Sequence, residues 1–248
     1  MKQPVLIARS IVLLGVLALA GCAGNPPAGF DYAALIAGAD REAADREVDP
    51  RRAQPQLIAM TGVRPGMRVL DMGAGGGYTT ELLARAVGAA GKVYAQDSKE
   101  TIARVRERFD GRMKKAVMAP VERIVRDFDD PLPVGVGGLD LITYFFAYHD
   151  TAFMPVDRAK MNRALFAALK PGGLLIVADH SARAGAGIGV VKSLHRIEES
   201  VVRRELEAAG FRLVKAGQFL RNPNDPRDEI VFRPKQPVDE FVLKFVRP

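Results

Sequence analysis

Met67-Arg-Val-Leu-Asp-Met-Gly-Ala-Gly-Gly-Gly-Tyr-Thr79 decides the fold. Apolar Met67, Val69, Leu70 and Met72 run into a glycine cluster, and an amphipathic stretch over 80–87 follows at once. That order predicts a strand, a tight turn and a helix. Glycines at 73, 75, 76 and 77 let a ligand approach the backbone and let the turn use positive φ. The free N–H groups of the helix start suit an anionic or polar group. A strict dinucleotide fingerprint would place its third glycine at 78, where Tyr78 stands. Asp71 precedes the turn; an acid there is a poor neighbour for a pyrophosphate and a good one for an ammonium.

Outward from the turn, strand and helix patterns alternate. Residues 91–97 form a second strand ending in Asp97, about twenty residues past the glycines, where an acid can accept from the two ribose hydroxyls of a nucleoside. Asp97 could instead cap the helix expected from 98 to 109. A third strand covers 121–128. A fourth, 138–146, is nearly continuous in apolar residues, as suits a strand covered on both faces. A helix over 157–169, a turn at 170–173 and a fifth strand at 174–178 follow. The Gly- and Ala-rich stretch 182–190 reads as a mobile loop. A helix then ends near 209–210. A sixth strand is expected near 211–219, a long loop over 220–239 with a short strand at 229–232, and a last strand at 241–246. Before the first strand, 30–49 reads as one or two helices and 52–61 as another, with a capping role over the sheet. No repeat is present.

Asp71-Met-Gly-Ala-Gly-Gly-Gly77 resembles the first motif of the class I S-adenosylmethionine (SAM)-dependent methyltransferases, and Leu169-Lys-Pro-Gly-Gly-Leu-Leu-Ile-Val177 resembles their entry to strand five. The resemblance covers about 50–247. It implies an α/β fold: a Rossmann-like class I methyltransferase sheet, mostly parallel, of seven strands with one antiparallel near the end, flanked by helices. It implies SAM as cofactor, held by Asp71, Gly73, Ala74, Gly75 and Asp97, with Asp127 and Phe128 at the adenine. Tyr148-His-Asp150, Asp179-His-Ser181 and His195-Arg-Ile197 resemble a group of bacterial predicted methyltransferases, many of them exported.

The N-terminus carries a second message. Residues 1–21 have a basic start, an apolar run too short to span a membrane comfortably, and then Leu19-Ala20-Gly21-Cys22. This resembles the bacterial lipobox, which implies a signal peptide over 1–21, lipidation of Cys22 and a tether over 22–30 before a domain at 31–248. Ala23 after the cysteine implies, for a Gram-negative source, the periplasmic face of the outer membrane. Cys22 is the only cysteine of the 248 residues, so no internal disulfide can form. The net charge of +7 includes Lys2 and Arg9 of that segment. Other basic residues (Arg104, Arg106, Arg108, Arg112, Lys114, Lys115, Arg203 and Arg204) lack interleaved aromatics and read as solvated faces, not as a nucleic-acid site.

The three histidines follow strand four (His149), strand five (His180) and the loop (His195). All these exits open on the edge where α/β sheets bind ligands. Transfer of a methyl group to a hydroxyl, thiol or ammonium needs a base, and histidine titrates near neutrality. His149 is the first candidate and His180 the second, with Asp150 or Asp179 to orient an imidazole. A metal held by His149, Asp150, Asp179, His180 and His195 lacks a tight ligand spacing and is set aside. The expected activity is methyl transfer from SAM to a small molecule. SAM is a cytosolic metabolite, which conflicts with export, so a non-catalytic nucleoside-binding lipoprotein is the alternative.

Overall fold

The computed structural model describes residues 29–232 and 234–248. The proposed signal segment, Cys22 and most of the tether lie outside the described residues. Three short helices come first: α1 (Tyr32–Ala37), α2 (Ala43–Val48) and α3 (Gln54–Thr61). Then follow β1 (Arg68–Met72), α4 (Tyr78–Val87), β2 (Lys92–Asp97), α5 (Lys99–Met113), β3 (Val121–Val125), β4 (Leu139–Phe145), α6 (Arg158–Ala168), β5 (Leu169–His180), α7 (Val191–Leu194), α8 (Glu199–Ala208), β6 (Arg212–Gly217) and β7 (Glu240–Val246).

One seven-stranded sheet runs in the order β3-β2-β1-β4-β5-β7-β6. β7 runs antiparallel to both of its neighbours, and the other pairings are parallel. The expected sheet is therefore the one observed. Period-two alternation assigns side chains to its two faces. Leu70, Met72, Ile142, Tyr144, Leu175 and Val177 share one core with α6 and α8. Val69, Val93, Leu141, Ile176 and Ala178 share the other with α3 and α4. β1 lies between β2 and β4, so successive connections leave it in opposite directions. That divergence opens a crevice at the strands' C-terminal ends.

Three sequence expectations change. The turn at 170–173 lies inside β5: Leu139 pairs with Leu169 and Leu141 with Leu174, so the intervening residues bulge out of the ladder. No strand forms at 229–232, where the Glu229 carbonyl is taken by the Arg196 guanidinium instead of a neighbouring strand. Arg112 is not on a solvated face. It is fully buried, with Nη1 2.6 Å from both Asp45 of α2 and Glu81 of α4. Its Nε donates to the Gly76 carbonyl at 3.0 Å, so the cation ties the N-terminal helices to the glycine turn.

Candidate active site at the C-terminal edge of the sheet

β1 delivers Asp71 to the base of the crevice. Its carboxylate is buried and accepts from the hydroxyls of Thr80 (2.6 Å) and Thr143 (2.9 Å). Burial raises its pKa to about 6 against those two hydrogen bonds. The turn after it uses positive φ at Gly73 (67°) and Gly75 (56°). A Cβ on Gly73 would sit 3.0 Å from the Ala147 Cβ, whereas one on Gly75 would meet nothing within 4 Å and would project into open space. The Ala74 N–H is paired with the Gln96 carbonyl at 3.0 Å, which locks the turn to β2.

Asp97 closes this wall. One carboxylate oxygen, Oδ2, accepts from the Gly75 N–H at 2.7 Å. The other, Oδ1, is buried with no hydrogen-bond partner. Burial, helped by the nearby Asp71 charge, lifts the Asp97 pKa to about 7. Asp97 does not cap α5; Ser98 does, its hydroxyl accepting from the Thr101 N–H. Asp127 is exposed on the loop after β3, at the mouth of the same cavity. Phe128 is buried beside it, its ring 6.3 Å from and nearly parallel to that of Tyr144.

These groups border one cavity of about 1060 Å³, which runs on to the three histidines. His149 sits on a short 3-10 turn and is pinned twice by fully buried Asp179. Its backbone N–H donates to Oδ2 at 2.8 Å, and its Nδ1 lies 2.7 Å from Oδ1. Its Nε2 faces Asp150 Oδ1 at 3.1 Å and His195 Nδ1 at 3.2 Å. Burial alone would lower the His149 pKa, but the Asp179 and Asp150 carboxylates outweigh it and hold the imidazole well above its ordinary value. Burial and the neighbouring His149 charge push His195 the other way. At neutral pH His149 therefore keeps its proton and His195 is neutral. His180 stacks on Phe146 with ring centroids 5.2 Å apart. Its Nδ1 lies 2.9 Å from Glu240 Oε1, but out of line for a hydrogen bond.

His195 reaches the site through a backbone device. Ser181 and Ile197 form a parallel bridge that continues β5, with the Ile197 N–H donating to the His180 carbonyl at 2.9 Å. That bridge folds residues 195–197 back beside 180–182. His195 itself holds φ of 52°, and Phe146 at the exit of β4 holds 56°. Such left-handed conformations in non-glycine residues concentrate at functional sites.

Sequence reasoning missed Arg52. It stands at the turn into α3 with its guanidinium over the rings of Tyr78 (4.9 Å) and Phe146 (4.7 Å), bordering the cavity near the glycine turn. Its Nε is buried without a hydrogen-bond partner. Nothing in the stretch Asp49-Pro-Arg-Arg-Ala53 announces this role. Only the partner Tyr78, standing where a strict dinucleotide fingerprint would have a glycine, hints that the position is filled for a purpose.

Residues 69–173 match the family described as a methyltransferase domain. Among curated relatives is a ubiquinone/menaquinone biosynthesis C-methyltransferase of Idiomarina loihiensis, 26% identical over 187 residues that make up 75% of this chain and 66% of that one. Another of the same name, from Teredinibacter turnerae, is 35% identical over 50% of this chain and 47% of its own. The chain thus spans about half to two thirds of the length of these relatives. A SAM-dependent methyltransferase from Aquifex aeolicus superposes with a TM-score of 0.59 at 23% identity, covering 89% of this chain and all of that one. The arsenic(III) methyltransferase of Chlamydomonas reinhardtii gives 0.54 at 16% identity, over 87% of this chain and 72% of its own. The chain thus carries a methyltransferase domain over residues 69–173 and shares the fold of SAM-dependent methyltransferases.

Proposed function

We propose that the protein transfers a methyl group from SAM to a small molecule and is held at the cell envelope by lipidated Cys22. One observation carries the cofactor part: the buried, unpartnered Oδ1 of Asp97 on the cavity wall. An orphaned buried acceptor costs roughly 1–3 kcal/mol, which a ribose hydroxyl returns by donating to it. Gly75 leaves the room that a sugar needs beside the backbone. Asp127 and Phe128, which border the same cavity, are assigned to the adenine. At the other end, the Arg52 guanidinium is free to pair with the carboxylate of the amino-acid moiety, and Asp71 favours its ammonium.

When bound, SAM supplies an electrophilic methyl group on a sulfonium. The chain's own residues bind, orient and exclude water. His149, Asp150 and His180 line the acceptor end, with His195 as a fourth member. The protonated His149 is suited to donate to an anionic acceptor oxygen, while the cluster's capacity to take up a proton resides in neutral His195. Phe146, Phe153 and Phe232 supply apolar walls. Those walls, with the C-methyltransferase names of the relatives, favour an acceptor with an apolar ring.

Calorimetric titration with SAM and S-adenosylhomocysteine tests the reading. Micromolar binding is expected, weakened at least about tenfold by Asp97→Ala and by Arg52→Ala. Absence of binding at millimolar ligand, by a folded protein, would reject the cofactor site. Binding by a protein that methylates none of a panel of phenolic and quinol acceptors would favour the nucleoside-binding alternative.

A further inference from the structure

We propose that His149 Nε2, His195 Nδ1 and an oxygen of Asp150 form a binding site for a first-row divalent transition metal ion of the zinc type, with one coordination position open to the acceptor end of the cavity. Two separate chain segments, the turn at His149–Asp150 and the stretch ending in His195, bring these atoms together. Their separations are 3.2 Å between the two nitrogens, 3.1 Å from His149 Nε2 to Asp150 Oδ1, and 3.4 Å from His195 Nδ1 to the same oxygen. Zinc–ligand bonds of about 2.0–2.2 Å at tetrahedral angles separate neighbouring donors by about 3.3–3.6 Å. The triangle in the protein is therefore close to one face of such a site. One donor atom from each of the three side chains lies within 4.8 Å of the other two.

The surroundings fit a built site. Asp179 accepts at His149 Nδ1 and so leaves Nε2 as the atom directed at the cluster, which is the carboxylate–histidine–metal arrangement; the ion displaces to solvent the proton that Nε2 carries in the metal-free protein. Asp179 is itself anchored by the backbone N–H groups of His149 and His180, so the imidazole plane has little freedom. Among the described residues, neither Asp150 nor Asp179 forms a salt bridge with a lysine or arginine. Two carboxylates in a largely buried cluster thus have only imidazoles to offset them, and a cation is the natural occupant. The left-handed backbone at His195 holds its ring nearly perpendicular to that of His149, so the two rings do not compete for one plane.

Two imidazoles and one carboxylate select zinc, cobalt, nickel or iron over magnesium, which prefers oxygen ligands. With three protein ligands the fourth position is open, as in catalytic and not structural sites. It would take an anionic oxygen or sulfur of the acceptor in place of water. That last step rests on the methyltransferase reading; the metal site itself does not.

The experiment is a zinc titration of the metal-free protein in competition with a chromophoric chelator, without nucleoside. One ion per chain, with affinity above that of the chelator, is expected. His195→Ala and Asp150→Ala each alter a side chain that is not fully buried, and should weaken zinc by more than the roughly 10–100-fold that an outer-shell change costs. Magnesium should not compete. Cobalt should give intense visible bands of a tetrahedral site, lost in both variants. Equal zinc affinity in wild type and His195→Ala, with matching thermal unfolding of the metal-free proteins, would overturn the site. So would zinc binding that magnesium displaces. Because no nucleoside is present, the outcome is independent of the S-adenosylhomocysteine titration.

Discussion

Asp97, the proposed ribose acceptor, shows the conflict that a buried acid imposes on a fold. Its carboxyl is buried, and its folded pKa of about 7 lies above the ordinary value. A carboxyl raised in this way binds its proton more tightly in the folded state. Its penalty is absent well below the unfolded pKa and grows as pH rises from about 4 to 7. Asp97→Asn keeps an oxygen for the Gly75 N–H and removes the charge. The variant should therefore gain stability over wild type at pH 8, by on the order of 1–4 kcal/mol, and gain little near pH 4. Urea unfolding at the two pH values measures this. Gain at pH 8 together with weaker nucleoside binding is the trade expected of a site residue. Equal gain at both pH values would trace the effect to packing and not to charge.

At the scale of elements, Arg112 does what no short helix could do alone. α1 and α2 have six residues each, too few to be stable in isolation. They stay docked because Tyr32, Leu35 and Ile36 pack on the core and because Asp45 and Glu81 share Arg112. Removing one partner of a buried ion pair leaves the others uncompensated, at a cost of about 3–5 kcal/mol. Arg112→Ala should lose that much in urea unfolding. It should also weaken S-adenosylhomocysteine, because the Gly76 carbonyl loses its donor and the glycine turn loosens. A loss below about 1 kcal/mol would show that apolar packing alone holds α2 in place.

For the whole molecule the open matter is address. Among the described residues no helix is long and apolar enough to cross a membrane. The attachment proposed above acts through Cys22 and its acyl chains, and a lipoprotein bearing several chains is held firmly. Cys22→Ala should move the protein from the membrane fraction to the soluble fraction after cell lysis. Unchanged partitioning would end the lipoprotein reading and, with it, the conflict between export and SAM supply.

The sheet was legible because its signals are local. Leu139 to Phe145 is apolar on both faces, the glycines at 73–77 mark the crossover turn, and Asp97 falls at a fixed distance along the next strand. Strand and turn propensities act over a few residues, so a linear reading captures them. The wall proposed to hold the cofactor follows from the same order. What the linear order could not carry is charge in three dimensions. Arg112 reads as one more surface cation until two helices bury it. Arg52 reads as a turn residue until Tyr78 and Phe146 close over it. His149 looks like a free base until Asp179, thirty residues on, holds its proton in place. Asp150 and His195 meet only because the Ser181–Ile197 bridge folds the chain back on β5. Burial and the separation between charges set these properties, and both are decided by tertiary packing.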